Sequence, residues 1–245
     1  VFDGKPPDNK QEVLDARNEK VAKSKLAIES TTNEELKKHL EKQTVRIKQE
    51  HVDDIKHLLR LMGVTYVQAN GEAEAYASEM CRNGVVDYVV TEDMDTLTFG
   101  CPRMIRTCLD KSVKRKDIIS VIHLDKVLEG FKLTYQEFID LCILCGCDYC
   151  KNIPRIGNKT AFTLIQKYRC IEELLSTIKN IPNNYKYNYL CSRKLFTQYH
   201  NTLNIDSCKV TSTLDIDGLS SYLINDCTMS EKRVQNSLKK ISHIY

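Results

Sequence analysis

Two short acidic patterns, Glu72-x-Glu74 and Asp93-x-Asp95, mark where this sequence could do chemistry. Each follows a strand-like run, residues 64–67 before the first and 85–90 before the second, and each opens a helical pattern. In an open α/β sheet, sites collect in the crevice at the carboxyl ends of strands. Residues i and i+2 of a helix point apart, so both members of such a pair converge only at a strand-to-helix junction, which is where these fall. Asp3 also follows an apparent strand end, Val1-Phe2, and Asp148 lies just past Gly146, a helix-ending glycine. Carboxylates gathered in one pocket repel one another and are costly to desolvate unless a cation lies between them. Hard oxygen donors favour Mg²⁺ or Mn²⁺ over zinc. Acids also favour helix N-termini for dipole reasons, so one pair alone carries little. Repetition at three strand ends points to a shared pocket.

Two other cation readings are weaker. As an EF-hand, Asp93-x-Asp95 would put Leu97 and Met104 at the fifth and twelfth loop positions, and neither suits Ca²⁺. Cys142-x-x-Cys145 and Cys147-x-x-Cys150 resemble two ligand pairs, but only Gly146 separates them. Zinc sites usually leave about a dozen residues for the chain to turn around the metal. These cysteines read instead as small buried hydrophobes.

The elements that must position the acids come from a chain of 245 residues, long enough for one or two domains and a sizeable core. No apolar run reaches the length of a membrane span, and no secretory signal pattern is visible. Eleven cysteines, odd in number and irregularly spaced, read as reduced intracellular thiols. Net charge is only +3, but unevenly spread. Residues 61–150 hold 9 basic and 14 acidic side chains, and residues 151–200 hold 9 basic and 2 acidic. An acidic pocket beside a basic stretch fits metal chemistry on a polyanion, although a solvated charged face would give the same counts.

The chain opens Val1-Phe2-Asp3-Gly4-Lys5-Pro6-Pro7, which reads as the tail of a buried strand and its turn, and so as a fragment or a processed chain. Residues 9–29 are predicted helical, charged, with a thin apolar stripe. Thr31-Thr32-Asn33-Glu34-Glu35 looks like a capping box for a second helix, which ends with the stripe Ile55, Leu58, Leu59, Met62 before Gly63. Residues 10–48 do not look core-forming; a projecting helical hairpin would explain them, and so would a solvated helix pair with no function. A short strand at 64–67, a helix from Glu72 to near Gly84, and strands at 85–90, 103–109 and 118–123 follow. Leu124 to Gly130 is a short helix, and Thr134-Tyr135-Gln136-Glu137 caps another that runs to Gly146. Ile153-Pro154-Arg155-Ile156-Gly157-Asn158-Lys159 then reads as a turn before a helix, with backbone N–H groups suited to a phosphate and Lys159, Lys167 and Arg169 adding positive charge. It could equally be an ordinary helix–helix turn. Further helices are predicted near 170–179, 188–203 and 230–242, with a loop at 180–190 whose Tyr185, Tyr187 and Tyr189 could stack on bases or pack.

Taken together, Val1-Phe2-Asp3-Gly4-Lys5-Pro6-Pro7, Glu72-Ala73-Glu74-Ala75, Thr91-Glu92-Asp93-Met94-Asp95-x-Leu97-Thr98-Phe99-Gly100 and Leu141-Cys142-Ile143-Leu144-x-Gly146-x-Asp148-Tyr149-Cys150 resemble the flap endonucleases of the XPG family, in order and spacing. The stretch from Asp3 to Glu72 lacks the long insertion of the nucleotide-excision relatives; the 5′ exonuclease relatives stay open. The resemblance implies an α/β fold: a central, mostly parallel sheet flanked by helices (a PIN-like nuclease core), with a helical arch at about 9–48 and a C-terminal helix-hairpin-helix region. Residues 1–150 would be the nuclease core and 151–245 the helical DNA-binding region. It implies cleavage of 5′ flaps in DNA, with 5′-3′ exonuclease activity beside it, using two Mg²⁺ ions or Mn²⁺ as a substitute. By motif position Asp3, Glu72, Glu74, Asp93, Asp95 and Asp148 would be metal ligands, and Lys10 and Arg17, with Asp3 and Glu72, the catalytic set. Arg155, Gly157, Lys159 and Lys167 would bind the DNA backbone. A monomer in the nucleus, or at a viral replication site, is expected, acting on branched or flapped DNA with no membrane.

Three features depart from the family pattern. The segment carrying the family's first strand and first metal-binding aspartate is absent from these residues. Arg155 stands where the hairpin usually has its first glycine. No sliding-clamp peptide of the glutamine-and-aromatic type is present, so clamp recruitment is not expected.

Overall fold

A computed structural model describes residues 1–107, 119–198 and 213–241. A 3₁₀ turn, Asp8–Lys10, leads into α1, Gln11–Ser30. The second predicted helix is in fact two, α2 (Glu34–Thr44) and α3 (Gln49–Leu61). Asn33 caps α2, its side chain accepting from the N–H groups of Glu35 and Leu36. The break at 45–48 begins and ends in extended backbone, at Val45 and Lys48, with Val45 and Ile47 73% and 82% exposed. β-Branched side chains are stiff in a helix, and these two gain no packing to offset that. Gly63, at φ 66°, ends α3 as expected.

Among the described residues the remaining elements are α4 (Ala73–Arg82), β1 (Val89–Val90), α5 (Asp95–Thr98), β2 (Arg103–Thr107), β3 (Ile119–His123), α6 (Leu124–Phe131), α7 (Tyr135–Cys145), α8 (Asn158–Tyr168), α9 (Ile171–Leu175), α10 (Tyr185–Gln198), α11 (Ile216–Ser221), a π-helical turn (Tyr222–Asp226) and α12 (Glu231–Ile241). Strand positions 108, 109 and 118 and helix positions 199–203 and 242 lie outside the described residues.

Among the described residues the sheet has three strands in the order β1-β2-β3. β1 pairs parallel with β2, and β2 antiparallel with β3 from Arg103↔His123 to Thr107↔Ile119. Of the mostly parallel sheet expected, this is one parallel and one antiparallel pairing. The predicted strand at 64–67 forms no ladder; pairing is confined to a parallel bridge, Phe2↔Gln68, beside it. Of the run 85–90, only Val89–Val90 is laddered.

The chain folds into two compact units, one of Val1–Lys20 with Gln68–Leu203 and one of Val21–Val67 with Asn204–Tyr245. The first is built on α7, whose Thr134 capping box is formed as predicted. Ile139, Ile143 and Leu144 of α7 pack with Ile165 of α8, Leu174 of α9, and Tyr189 and Phe196 of α10. The boundary expected at residue 150 falls inside this continuous core. A second cluster, Leu97, Met104, Leu124 and Phe138, ties α5, β2 and α6 to α7. The second unit is smaller: Leu58 and Met62 of the predicted stripe, joined by Leu61, pack on Leu219, Val234 and Leu238, while Ile55 of that stripe is 48% exposed.

One prediction in the first unit is corrected. Residues 185–190 are helix, not loop, because Tyr185 and Tyr189, one turn apart, are 2% and 1% exposed and start α10 in the core. Only Tyr187 of the three tyrosines projects, at 70%.

Candidate metal and phosphodiester site

The first acidic pair stands where the sequence reading placed it, at the start of α4. Glu72 immediately precedes the helix and Glu74 lies in its first turn. Asp3 reaches the same helix end from the beginning of the chain, its Oδ1 accepting from the Ala73 N–H at 2.9 Å. That reach depends on the Phe2↔Gln68 bridge, reinforced by Ala69 N to Phe2 O at 2.9 Å and Gly4 N to Gly71 O at 2.7 Å. Gly4 allows the approach: a Cβ there would collide with the Ala69 carbonyl and lie 2.6 Å from Asn70 C. Asp3, Glu72 and Glu74 each then offer a carboxylate oxygen, all within 4.8 Å of one another. All three donors are hard oxygens, a set that fits a divalent cation such as Mg²⁺.

The second pair lies where β1 passes into α5. Asp93 Oδ1 accepts from Asp95 N–H at 2.9 Å, and Thr91 Oγ1 from Asp93 N–H at 3.0 Å, so a local turn holds the acids in place. Burial, then the charges of Asp93 and Asp148, push the Asp95 carboxyl up to about 6, with Lys10 opposing and Glu74 adding. Glu74 is also raised, by burial first and then by Asp3, Asp93 and Glu72. The charges of both pairs and of Asp148 therefore act on one another. Repulsion of this kind is what a bound cation would relieve.

Two basic side chains meet these acids. Lys10 Nζ donates to Glu72 Oε2 at 2.6 Å and lies 3.3 Å from Asp148 Oδ2. Burial works against the Lys10 ammonium, yet the hydrogen bond and charge of Glu72, with those of Asp148, outweigh it and hold its pKa above the ordinary value. Arg17 Nη2 lies 3.1 Å from Asp148 Oδ2. Seven residues apart, about two helical turns, Lys10 and Arg17 both reach Asp148, which follows α7.

The residues at the turn before α8 divide. Ile156 N bonds Ile153 O at 2.9 Å, and both isoleucines are buried, which closes a tight turn between α7 and α8. Gly157 occupies the N-cap position of α8 and Lys159 its first turn. Arg155 takes φ 70°, the left-handed conformation for which glycine is the usual residue. Lys167 is in the last turn of α8, about 12 Å along the axis from Lys159, so it does not join them. Its ammonium lies 4.9 Å from the Tyr168 ring centroid.

Sequence reasoning missed two sets. Tyr149 packs beneath Lys10, with Nζ 5.9 Å from its ring centroid. Arg193 of α10 donates to both oxygens of Asp140 and both of Glu172, tying α10 to α7 and to α9. The one available signal was an Asp inside the apolar run 138–144, which a buried helix tolerates only with a partner. The cysteines of the two C-x-x-C pairs have raised pKa values, with burial alone or foremost; Cys142 and Cys150 reach about 12.

Residues 63–148 match the family model of the XPG I-region. The chain is 43% identical to flap endonuclease 1-A of Sorghum bicolor over 251 aligned positions, covering 98% of this chain and 64% of the relative. It is 42% identical to flap endonuclease 1 of Drosophila mojavensis, covering 98% and 63%. The chain thus spans about 64% of the length of such relatives. Among solved structures, flap endonuclease-1 from Methanococcus jannaschii matches with TM-score 0.68 at 28% identity, over 98% of this chain and 73% of that one. The catalytic core of Rad2 in complex with DNA substrate matches with TM-score 0.73 over 98% and 77%; at 17% identity this likeness is one of fold.

Proposed function

We propose that this chain is a member of the XPG family and carries the nuclease core of a structure-specific flap endonuclease. The reaction is hydrolysis of one phosphodiester where a 5′ single-stranded DNA flap joins duplex, in replication and repair, with 5′-3′ exonuclease activity on the same site. The observation that carries the reading is the meeting of Lys10 and Arg17 with Asp148, beside the Asp3, Glu72 and Glu74 set. Carboxylates alone would repel a phosphodiester; carboxylates with two cations at their edge suit metal ions and a phosphate together.

Asp3, Glu72 and Glu74 would hold divalent cations, with Asp93, Asp95 and Asp148 acting directly or through water. Two Mg²⁺ ions, or Mn²⁺ in their place, would supply a nucleophile near neutral pH and relieve charge on the reacting oxygens. Lys10 and Arg17 neutralise the non-bridging phosphate oxygens as charge develops. Arg155, Gly157 and Lys159 grip duplex backbone away from the cut, the glycine leaving α8 N–H groups open to a phosphate. Lys167 adds a separate backbone contact at the other end of α8. The protein acts on DNA as a monomer, in the nucleus.

The test is cleavage of a labelled double-flap DNA by the 245-residue chain in Mg²⁺. A single cut at the flap junction is expected. Salt-dependent binding without a cut, at every metal concentration, would make these residues a DNA-binding module. Neither binding nor cutting at low salt would overturn the nucleic-acid role.

A further inference from the structure

Among the described residues, the close contacts of the Lys10 ammonium include an aromatic ring as well as acids. Its ammonium bonds Glu72 and faces Asp148, and it also lies over the ring of Tyr149, 5.9 Å from the centroid. Tyr149 is 4% exposed, and its placement is fixed from two sides. It sits in a tight turn closed by Cys147 N to Cys150 O at 2.9 Å and Cys150 N to Cys147 O at 3.3 Å. Its ring meets Phe196 of α10 edge-on at 5.5 Å, and Phe196 packs on Phe99 at 4.9 Å, next to α5 and Asp95. The ring under Lys10 is thus braced against the element that bears an acid of the site.

A lysine has a flexible four-carbon stem and a compact charge, and holding it in one place costs side-chain entropy. Glu72 and Asp148 hold it in the structure described here. Resting on the proposed reading, those same carboxylates would be engaged elsewhere when cations are bound, just when Lys10 must point at a phosphate. An aromatic face attracts the ammonium without using any of its three N–H donors. It is therefore a hold that survives the loss of the carboxylate partners and leaves the donors free for phosphate oxygens.

We propose that Tyr149 is a positioning residue, a cation–π seat that keeps the Lys10 ammonium over the carboxylate site. The ring, and not the hydroxyl, does this. Tyr149→Phe is then expected within about twofold of the parent in single-turnover cleavage of flap DNA. Fluorinated phenylalanines at position 149 keep the shape and drain the π face. They are expected to lower the rate in steps with fluorine content, by roughly 3- to 30-fold in all, with thermal midpoint and DNA affinity unmoved. In a Lys10→Ala background the same series should leave the residual rate flat. A rate indifferent to fluorination with Lys10 present would reduce Tyr149 to core packing and overturn the proposal.

A second readout does not need cleavage. In the free chain, the ring should shift the Lys10 ε-methylene proton resonances upfield; the shift should persist in Tyr149→Phe and vanish in Tyr149→Leu. Ordinary lysine shifts in the parent chain would overturn the seat even if flap DNA is cut. A chain that shows the ring shift but never cuts flap DNA would sink the proposed function and leave the seat standing.

Discussion

Asp95 shows how the site works at the scale of a residue. An aspartate ionises near pH 3.9 when unfolded, and here burial and the Asp93 and Asp148 charges move it to about 6. The folded chain therefore holds this proton more tightly than the unfolded one. The associated stability is complete below about pH 4 and is lost as pH rises through about 6. Without divalent metal, Asp95→Asn is expected to raise stability at pH 7.5 by up to about 2–3 kcal/mol in urea unfolding, and to flatten its decline between pH 4 and 6. Mg²⁺ should stabilise the parent more at pH 7.5 than at pH 5, and more than it stabilises the variant. The same substitution should cost cleavage on the order of 100-fold or more. An unchanged unfolding curve without metal would refute the electrostatic account.

At the scale of elements, the carboxylates are placed by junctions, not by long strands. Asp93 lies between a two-residue β1 and a four-residue α5, and Asp95 is the first residue of α5. Asp3 reaches α4 through one bridge and the bare backbone of Gly4. Gly4→Ala is expected to destabilise by roughly 2 kcal/mol, since its Cβ would strike backbone that cannot step aside, and to weaken Mg²⁺ binding by shifting Asp3. Calorimetry and urea unfolding on the same sample test both halves; loss of stability with metal affinity intact would separate Asp3 from the cation set. Much here was legible in the sequence. The capping box at Thr134, the stop at Gly63 and the acid-x-acid spacings are short-range signals that depend on neighbours within one turn. The break at 45–48 and the early start of α10 were not. The first is a local preference hidden inside a longer charged pattern, and the second depends on tyrosines finding a distant core.

Across the whole molecule, the first unit hangs on polar contacts that cross its core as well as on apolar packing. Asp140 is 1% exposed, and burial raises its pKa even against Arg193, which lies 2.7 Å away. Arg193→Leu is expected to cost about 3–5 kcal/mol, because it strands a buried carboxylate; the double variant with Asp140→Leu should recover much of that. Equal losses in single and double variants would count against the pairing. No sequence pattern joins residue 140 to residue 193, because contact across 53 positions is a property of packing. By itself the sequence determined the residue types that can hold a hard cation and the junctions where they stand, since these follow from short-range periodicity and from charge; Lys10 and Arg17 were marked by the family resemblance. Only the tertiary structure decided that Asp3 caps α4, that Lys10 lies among Glu72, Asp148 and the Tyr149 ring, and that the core runs unbroken across residue 150. Those depend on which distant surfaces exclude water together, and burial is a sum over the whole unit that no local stretch encodes.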